Sequence, residues 1–382
     1  MQGPATLVYN SFENITDPRA NRGSNHDLLE MIFMALTAAI CGADGWTDVE
    51  RFAKSKFDWF RRYIDLEHGV PSHDTFGRVF SRLDTGEFLA AMHHWVDQFA
   101  QSLRGKGVAI DGKTLRGSFD QAAGKSALHT LTAFATESRL VLRQLPVDQK
   151  SNEIPAVPML LELLDLAGAV VTLDAMHCQK ETAKAIVDAE ADYVLTVKKN
   201  QEKLYDKLLE LFTEYGERDD DVKGLRKQTT VEKSHGRRER RVYSCIQAPQ
   251  GEAFEGWEAI QSIGMVYRHR EHQHRGHEVE DHDEVSFFIS SLPPKVKTLS
   301  SYLRGHWKIE NSQHYVLDVT FSEDASRIRK GNAAEISGGF RRMALNILRQ
   351  DTTLKDSIRG KRLRAGWDET VLDKIYAGFH AA

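Results

Sequence analysis

The sequence predicts an α/β protein, with a mixed-sheet core that carries a β-rich insertion and follows an all-helical domain. Three observations predict it. Apolar residues recur at three- and four-residue spacing through 26–104, the period of amphipathic helices. Beyond Gly107, short apolar runs alternate with helical patterns in the order β-β-β-α-β-α-β, which groups three strands and then adds crossovers. From Glu217 to about Asp283 the chain turns polar and charged, with strand-like pieces at Arg240–Ile246 and Ile260–Arg268.

The elements follow in order. Residues 1–24 read as an irregular lead-in. Helices are predicted over Leu28–Ile40, Val49–Tyr63 and Phe88–Leu103. A shorter one starts near Pro71–Thr75, with Ser72 or Asp74 as its N-cap. The GVPSHDTF turn fits a helix-turn-helix and equally a bundle corner. Val108–Ile110 is a strand ending in Asp111-Gly112, and Leu128–Ala135 with Leu140–Val147 is a hairpin. Next come a helix at Ile154–Leu166, a buried strand at Ala169–Leu173 ending in Asp174, a helix at Lys180–Glu190 and a strand at Tyr193–Val197. A helix over 200–215, the insertion at 220–285, a strand at Val285–Ser291 and a helix at Leu299–Val316 complete the pattern, and the remainder is helical with basic faces. The implied units are 1–104, 105–219, 220–285 and 286–382.

A chain of 382 residues suggests two or three such units. Apolar residues at 41% and charged residues at 28% describe an ordinary globular protein. The net charge of −4 hides a local excess: residues 325–364 hold eleven Lys/Arg, among them Arg327, Arg329 and Lys330, against three acids. A basic surface of that kind attracts phosphate backbones. The three cysteines, Cys41, Cys178 and Cys245, lack CxxC spacing, which argues for a reducing compartment and against a cysteine zinc site. The first residues lack a signal pattern. The longest apolar stretch, Met31–Cys41, is too short to span a bilayer. A cytoplasmic protein with no membrane partner is expected.

Asp111 and Asp174 each close a short apolar run, and strand ends in α/β sheets deliver side chains into a crevice. Two carboxylates there could share Mg²⁺, which takes oxygen ligands and keeps several waters. Taken singly, Asp111 also fits an Asp-Gly turn and Asp174 a helix N-cap. Glu310 lies on a helical stripe with Leu303, His306, His314 and Leu317. A carboxylate on such a stripe needs a partner: a metal, a hydrogen bond to His306 or His314, or zinc shared with both. The spacing is not HExxH, and no separate general base is evident. In HGRRERR, Arg237, Arg238, Arg240 and Arg241 suit phosphate contacts or a solvated face. The histidines at 269, 272, 274, 277 and 282 read as a solvated loop in preference to a metal site. Trp307 could stack on a base, though a core position suits its place on the helix better.

These stretches together resemble the DDE transposases of bacterial insertion sequences, in the H-repeat-associated branch. The resemblance covers nearly the whole chain. It is carried by DPRANRGSNHDL, GVPSHDTFGRVF, AIDGKTLRGS, NEIPAVPMLL, VTLDAMHCQKETA, DYVLTVKKNQ and HWKIENSQHYVLDVTFSEDASRIR. It implies an RNase H-like core that cuts and rejoins double-stranded DNA at the element's ends and at the target. Asp111, Asp174 and Glu310 would be both the catalytic residues and the ligands of two Mg²⁺ ions, for which Mn²⁺ can substitute in such enzymes. The resemblance also implies a homodimer on DNA. Lys113, Lys198 and Lys199 become candidate phosphate contacts. The chain departs from the family where Tyr, Arg and Lys are common around the Glu: Leu303, His306 and Leu317 stand there, and His306 is the candidate to take over a phosphate contact. Ile336 replaces a polar Asn, and Gly338 and Gly339 weaken the helix that holds them. Two rival readings are an RNase H-like nuclease without strand transfer and a catalytically decayed DNA-binding derivative.

Overall fold

A nine-stranded mixed sheet runs through the molecule. The computed structural model describes residues 3–19, 25–119, 124, 126–147, 153–218, 222–234, 237–272 and 280–380. The strands are β1 (Gly107–Thr114), β2 (His129–Ala135), β3 (Leu140–Val147), β4 (Val170–Leu173), β5 (Asp192–Val197), β6 (Arg226–Ser234), β7 (Arg237–Gln247), β8 (Ser262–His272) and β9 (Glu280–Ser290). They lie in the order β3-β2-β1-β4-β5-β9-β8-β7-β6. Among the first five, β2 alone runs against the others, because β1, β4 and β5 pair in parallel while β2 is antiparallel to β1 and to β3. This is the RNase H-like arrangement. β9 joins β5 antiparallel, so the polar segment extends the core sheet and does not form a sheet of its own.

Helices α7 (Ala156–Glu162), α8 (Lys180–Asp188) and α9 (Glu202–Glu217) cover one face of the sheet, and α10 (Val296–His306) covers the other. Strand alternation therefore decides where each side chain points. Ile110 and Leu173 face α7 and α8 with the main core, while Ala109 packs with Phe134, Val141 and Ile309 on the α10 side.

The N-terminal helices are α1 (Pro4–Phe12), α2 (Leu28–Ile40), α3 (Trp46–Ser55), α4 (Phe57–Phe60), α5 (His73–Phe80) and α6 (Thr85–Asp97). They share one core with the C-terminal helices α12 (Ala333–Gln350), α13 (Ile358–Trp367) and α14 (Glu369–His380). Asp27 caps α2 by accepting from Leu29 N and Glu30 N. The buried hydroxyls of Thr37 and Tyr376 hydrogen-bond at 2.8 Å, and Trp59 Nε1 donates to Asp373 at 2.8 Å. Ser72 caps α5. Among the described residues, no helix is long and apolar enough to cross a membrane.

Several expectations need correction. The lead-in contains α1, which starts on Pro4, a favoured first-turn residue, and buries Leu7, Val8 and Phe12. The helix expected over Val49–Tyr63 is broken at Lys56 into α3 and α4. β1 does not end at Asp111 but runs on to Thr114. The single helix expected over Leu299–Val316 is α10, then a π-helical turn at Ile309–His314, then α11 (Tyr315–Phe321). Gly339 serves packing: a Cβ there would stand 2.5 Å from the Phe88 ring of α6. Ile336 is fully buried in the same core.

Four of the eleven cations of the basic C-terminal stretch are internal. Arg341, Arg342, Lys361 and Arg362 are all buried. Arg342 pairs with Glu323 at 2.8 Å, Lys361 with Asp351 at 2.9 Å, and Arg341 donates to Ser326 Oγ at 2.9 Å. Arg362 donates to Ala39 O. Arg327 and Lys330 remain exposed.

Candidate active site

β1 and β4 are neighbours, and their register pairs Ile110 with Leu173. Asp111 follows on β1, and Asp174 follows just past the end of β4. Asp111 is half-buried on the α10 side, and its Oδ1 accepts from Gly112 N at 2.9 Å. Asp174 is exposed and opens a 3₁₀ turn at Ala175–His177, accepting from Ala175 N at 2.7 Å. The N-cap reading of Asp174 therefore holds alongside the site reading. The loop after β5 braces this turn: Asn200 Nδ2 donates to Ala175 O at 2.8 Å and Gln201 Nε2 to Cys178 O at 3.0 Å.

Glu310 is exposed on the π-helical turn, where Tyr315 N donates to Glu310 O. An extra residue in a helical turn shifts the side chains around it, and such turns concentrate at functional sites. Burial pushes the Asp111 carboxyl up to about 7, helped by the charges of Glu310, Asp174 and Glu153 and opposed by the Gly112 hydrogen bond. Burial and the charge of Asp174 also raise Glu310. The three carboxylates thus share one electrostatic site, with Lys198 Nζ 3.7 Å from Asp174.

Their donor set is oxygen only, which suits a hard divalent cation, and their mutual repulsion is what such an ion would relieve. They are not drawn into a closed shell: among the described residues, no group of three or more His, Cys, Asp or Glu stands ready to hold a metal. The two histidines beside Glu310 do not converge on it. His306 Nδ1 lies 3.1 Å from Thr172 Oγ1, and His314 Nδ1 lies 3.5 Å from Asp111. Burial pushes His306 down to about 4 and His314 to about 3. Burial thus disfavours a charged His306, against its reading as a cationic phosphate contact.

The candidate phosphate contacts divide. Lys113 is buried, with Nζ 2.7 and 2.8 Å from the two oxygens of Asp318 and 3.4 Å from Asp324. It ties β1 to α11 and is not offered to a phosphate. Lys198 and Lys199 are exposed. So are Arg238 and Arg240 on β7, whereas Arg241 points to the opposite face and pairs with the buried Glu239. His235, His274 and His277 and the side chains of Arg237 and His272 lie outside the described residues. His269 pairs with Asp283 at 2.7 Å. Arg329 Nε donates to Gly117 O at 2.8 Å, and its guanidinium lies 4.4 Å from the Phe119 ring centre, so it pins a loop. Leu317 is core. Trp307 is not core: it is 46% exposed, with the Arg268 guanidinium 5.8 Å from its ring centre.

A cluster on the other side of β1 is absent from the sequence reading. Gly112 points away from Asp111, and a Cβ there would stand 2.5 Å from Glu153 Oε2 and 2.7 Å from His129 Nε2. Glu153 Oε1 lies 2.7 Å from His129 Nε2, and its Oε2 accepts from His177 Nε2 at 3.2 Å. The two histidines pull Glu153 down to about 2. Thr114 Oγ1 is 2.8 Å from His129 Nδ1. The only signal in the sequence is that Glu153 and His177 fall within the NEIPAVPMLL and VTLDAMHCQKETA stretches.

Comparison with known proteins places the chain in a family. A family model described as "Transposase DDE domain" matches residues 103–347, and one described as "DDE_Tnp_1-associated" matches residues 9–96. The chain is 38% identical over 370 residues to "Putative transposase YncI" of Escherichia coli O157:H7, covering 95% of this chain and 92% of that protein. It is 35% identical over 372 residues to "H repeat-associated putative transposase YhhI" of E. coli strain K12, covering 95% and 96%. A solved piggyBac transposase, in a synaptic complex with hairpin DNA, aligns at 11% identity with a TM-score of 0.47, covering 100% of this chain and 82% of that one.

Proposed function

The chain belongs to the DDE transposase family and is a DNA transposase, and we propose that Asp111, Asp174 and Glu310 form its catalytic site. The observation that carries this reading is the parallel pairing of β1 with β4, which makes Asp111 and Asp174 neighbours at the level of Glu310. The same three carboxylates would hold divalent cations, two Mg²⁺ ions in this proposal, with Mn²⁺ able to substitute. When bound, such ions supply Lewis-acid activation of an attacking hydroxyl and stabilisation of a leaving oxygen in phosphodiester transfer.

The chain's own groups do the rest. The carboxylates act as ligands and not as nucleophiles. Gly112 N and Ala175 N orient Asp111 and Asp174. Lys198 and Lys199 follow β5 beside Asp174, where cations can meet a phosphate. Exposed Arg238, Arg240, Arg327 and Lys330 extend the contact to a duplex backbone. The substrate is double-stranded DNA, first at the inverted repeats that end the element and then at a target. Joining two ends calls for two copies of the chain, so a homodimer on DNA is part of the proposal, acting on the chromosome in the cytoplasm.

The test is cleavage of a duplex carrying the flanking inverted repeat in Mg²⁺ or Mn²⁺. The wild type cuts at the repeat boundary. Glu310→Gln, which keeps the side chain's size and removes its charge, is expected to lose at least about 100-fold in rate. Equal rates for the two proteins would remove Glu310 from the site.

A further inference from the structure

Three segments meet at Glu153. His129 lies on β2, directly across the ladder from Thr114 on β1. His177 ends the 3₁₀ turn that Asp174 opens, and its backbone N donates to Asp174 O at 3.0 Å. Gly112 lies between, and only the absence of a Cβ lets the carboxylate and the His129 ring approach this closely. His177 is 1% exposed, and the partly buried Glu153 carboxylate reaches it from the solvent side at 3.2 Å.

We infer that Glu153 is a positioning residue which, from behind the sheet, fixes Asp111 and Asp174 relative to each other through His129 and His177. The inference rests on the reading that these two aspartates hold a divalent cation. Glu153 itself is on the far side of β1 from Glu310 and does not line the cation site. Beside the through-space charge it exerts on Asp111, its positioning effect is transmitted through strand and turn: releasing His177 frees the segment that carries Asp174, and releasing His129 frees the segment beside Thr114. Groups that orient ligands in this manner typically change metal affinity by about 10–100-fold when removed.

The experiment is Mn²⁺ binding to the full-length chain without DNA, read from the electron paramagnetic resonance signal of free Mn²⁺, with thermal melting as the control for folding. Asp111→Asn, Glu153→Ala, His177→Phe and His177→Gln are compared with the wild type. Glu153→Ala and His177→Phe are each expected to weaken Mn²⁺ binding by about 10–100-fold, and His177→Gln, whose amide can still donate to Glu153, by less than about fivefold. Losses below about fivefold in both Glu153→Ala and His177→Phe, with Asp111→Asn still losing the ion, would overturn the inference. If Glu153→Ala does not fold, the His177 pair decides: equal affinities for Phe and Gln overturn it. Wild-type affinity in Asp111→Asn would instead sink the underlying reading of the aspartates.

Discussion

Asp111→Asn is expected to slow metal-dependent DNA cleavage by about 10³-fold, close to 4 kcal/mol of barrier, while leaving DNA binding within about twofold. Asparagine has the size of aspartate and retains an oxygen for the Gly112 N–H, so the strand and its ladder stay as they are. What disappears is the negative charge of the most buried of the three carboxylates, whose electrostatic environment is set by burial and by Glu310, Asp174 and Glu153. Affinity for duplex DNA comes from cations that meet phosphates. The exposed candidates, Arg238, Arg240, Arg327 and Lys330, lie on other segments. Gel-shift and cleavage assays on the same duplex separate the two effects. Cleavage by Asp111→Asn at the wild-type rate would remove Asp111 from the site, whereas duplex binding with no cleavage by either protein would favour a catalytically decayed DNA-binding derivative.

Glu323→Ala is expected to destabilise the fold by about 3–5 kcal/mol. Glu323 is 1% exposed, and its Oε1 accepts from Arg342 Nη1 at 2.8 Å while Arg342, 2% exposed, also donates to Gly338 O at 3.0 Å. Removing the carboxylate leaves a guanidinium buried in α12 without its counter-charge, and an uncompensated buried charge is what makes one-sided deletions severe. The damage should spread to the site. The loop holding Glu323 also supplies Asp324, which meets Lys113 at 3.4 Å, and it packs so closely on Gly117 that a Cβ there would stand 2.2 Å from Ser326 O. Urea denaturation followed by circular dichroism measures the loss. A midpoint unchanged from wild type would mean that the pair contributes nothing net. Glu323→Gln, which keeps an acceptor, should lose less.

What the sequence made legible was the part that periodicity governs. α2 falls on its predicted residues because its apolar spacing has no competing signal. The strands that carry Asp111 and Asp174 were visible as short apolar runs, and the motif resemblance chose between site and turn for each aspartate. Other features depend on contacts that a linear pattern does not encode. β6 alternates Lys227, Thr229 and Val231 with Gln228, Thr230 and Glu232, and so lacks an apolar face; its place is set by the ladder to β7. The π-helical turn under Glu310 leaves no mark in the residue types. Charge counts do not report burial, so Arg341, Arg342, Lys361 and Arg362 looked like surface. Lys113 looked like a phosphate contact, yet it is an internal tie to Asp318. Glu153, His129 and His177 are far apart in the chain, and only the fold brings them to the back of Gly112.

Strand transfer separates a transposase from a nuclease at these three carboxylates. A pre-cleaved element end with a free 3′-hydroxyl, a target duplex and Mg²⁺ are supplied to the wild type and to Asp111→Asn, Asp174→Asn and Glu310→Gln, and joined product is counted. The wild type is expected to join the end to the target, and each of the three substitutions to abolish joining. Joining at the wild-type rate by any of the three, or a wild type that only hydrolyses DNA, would contradict this expectation.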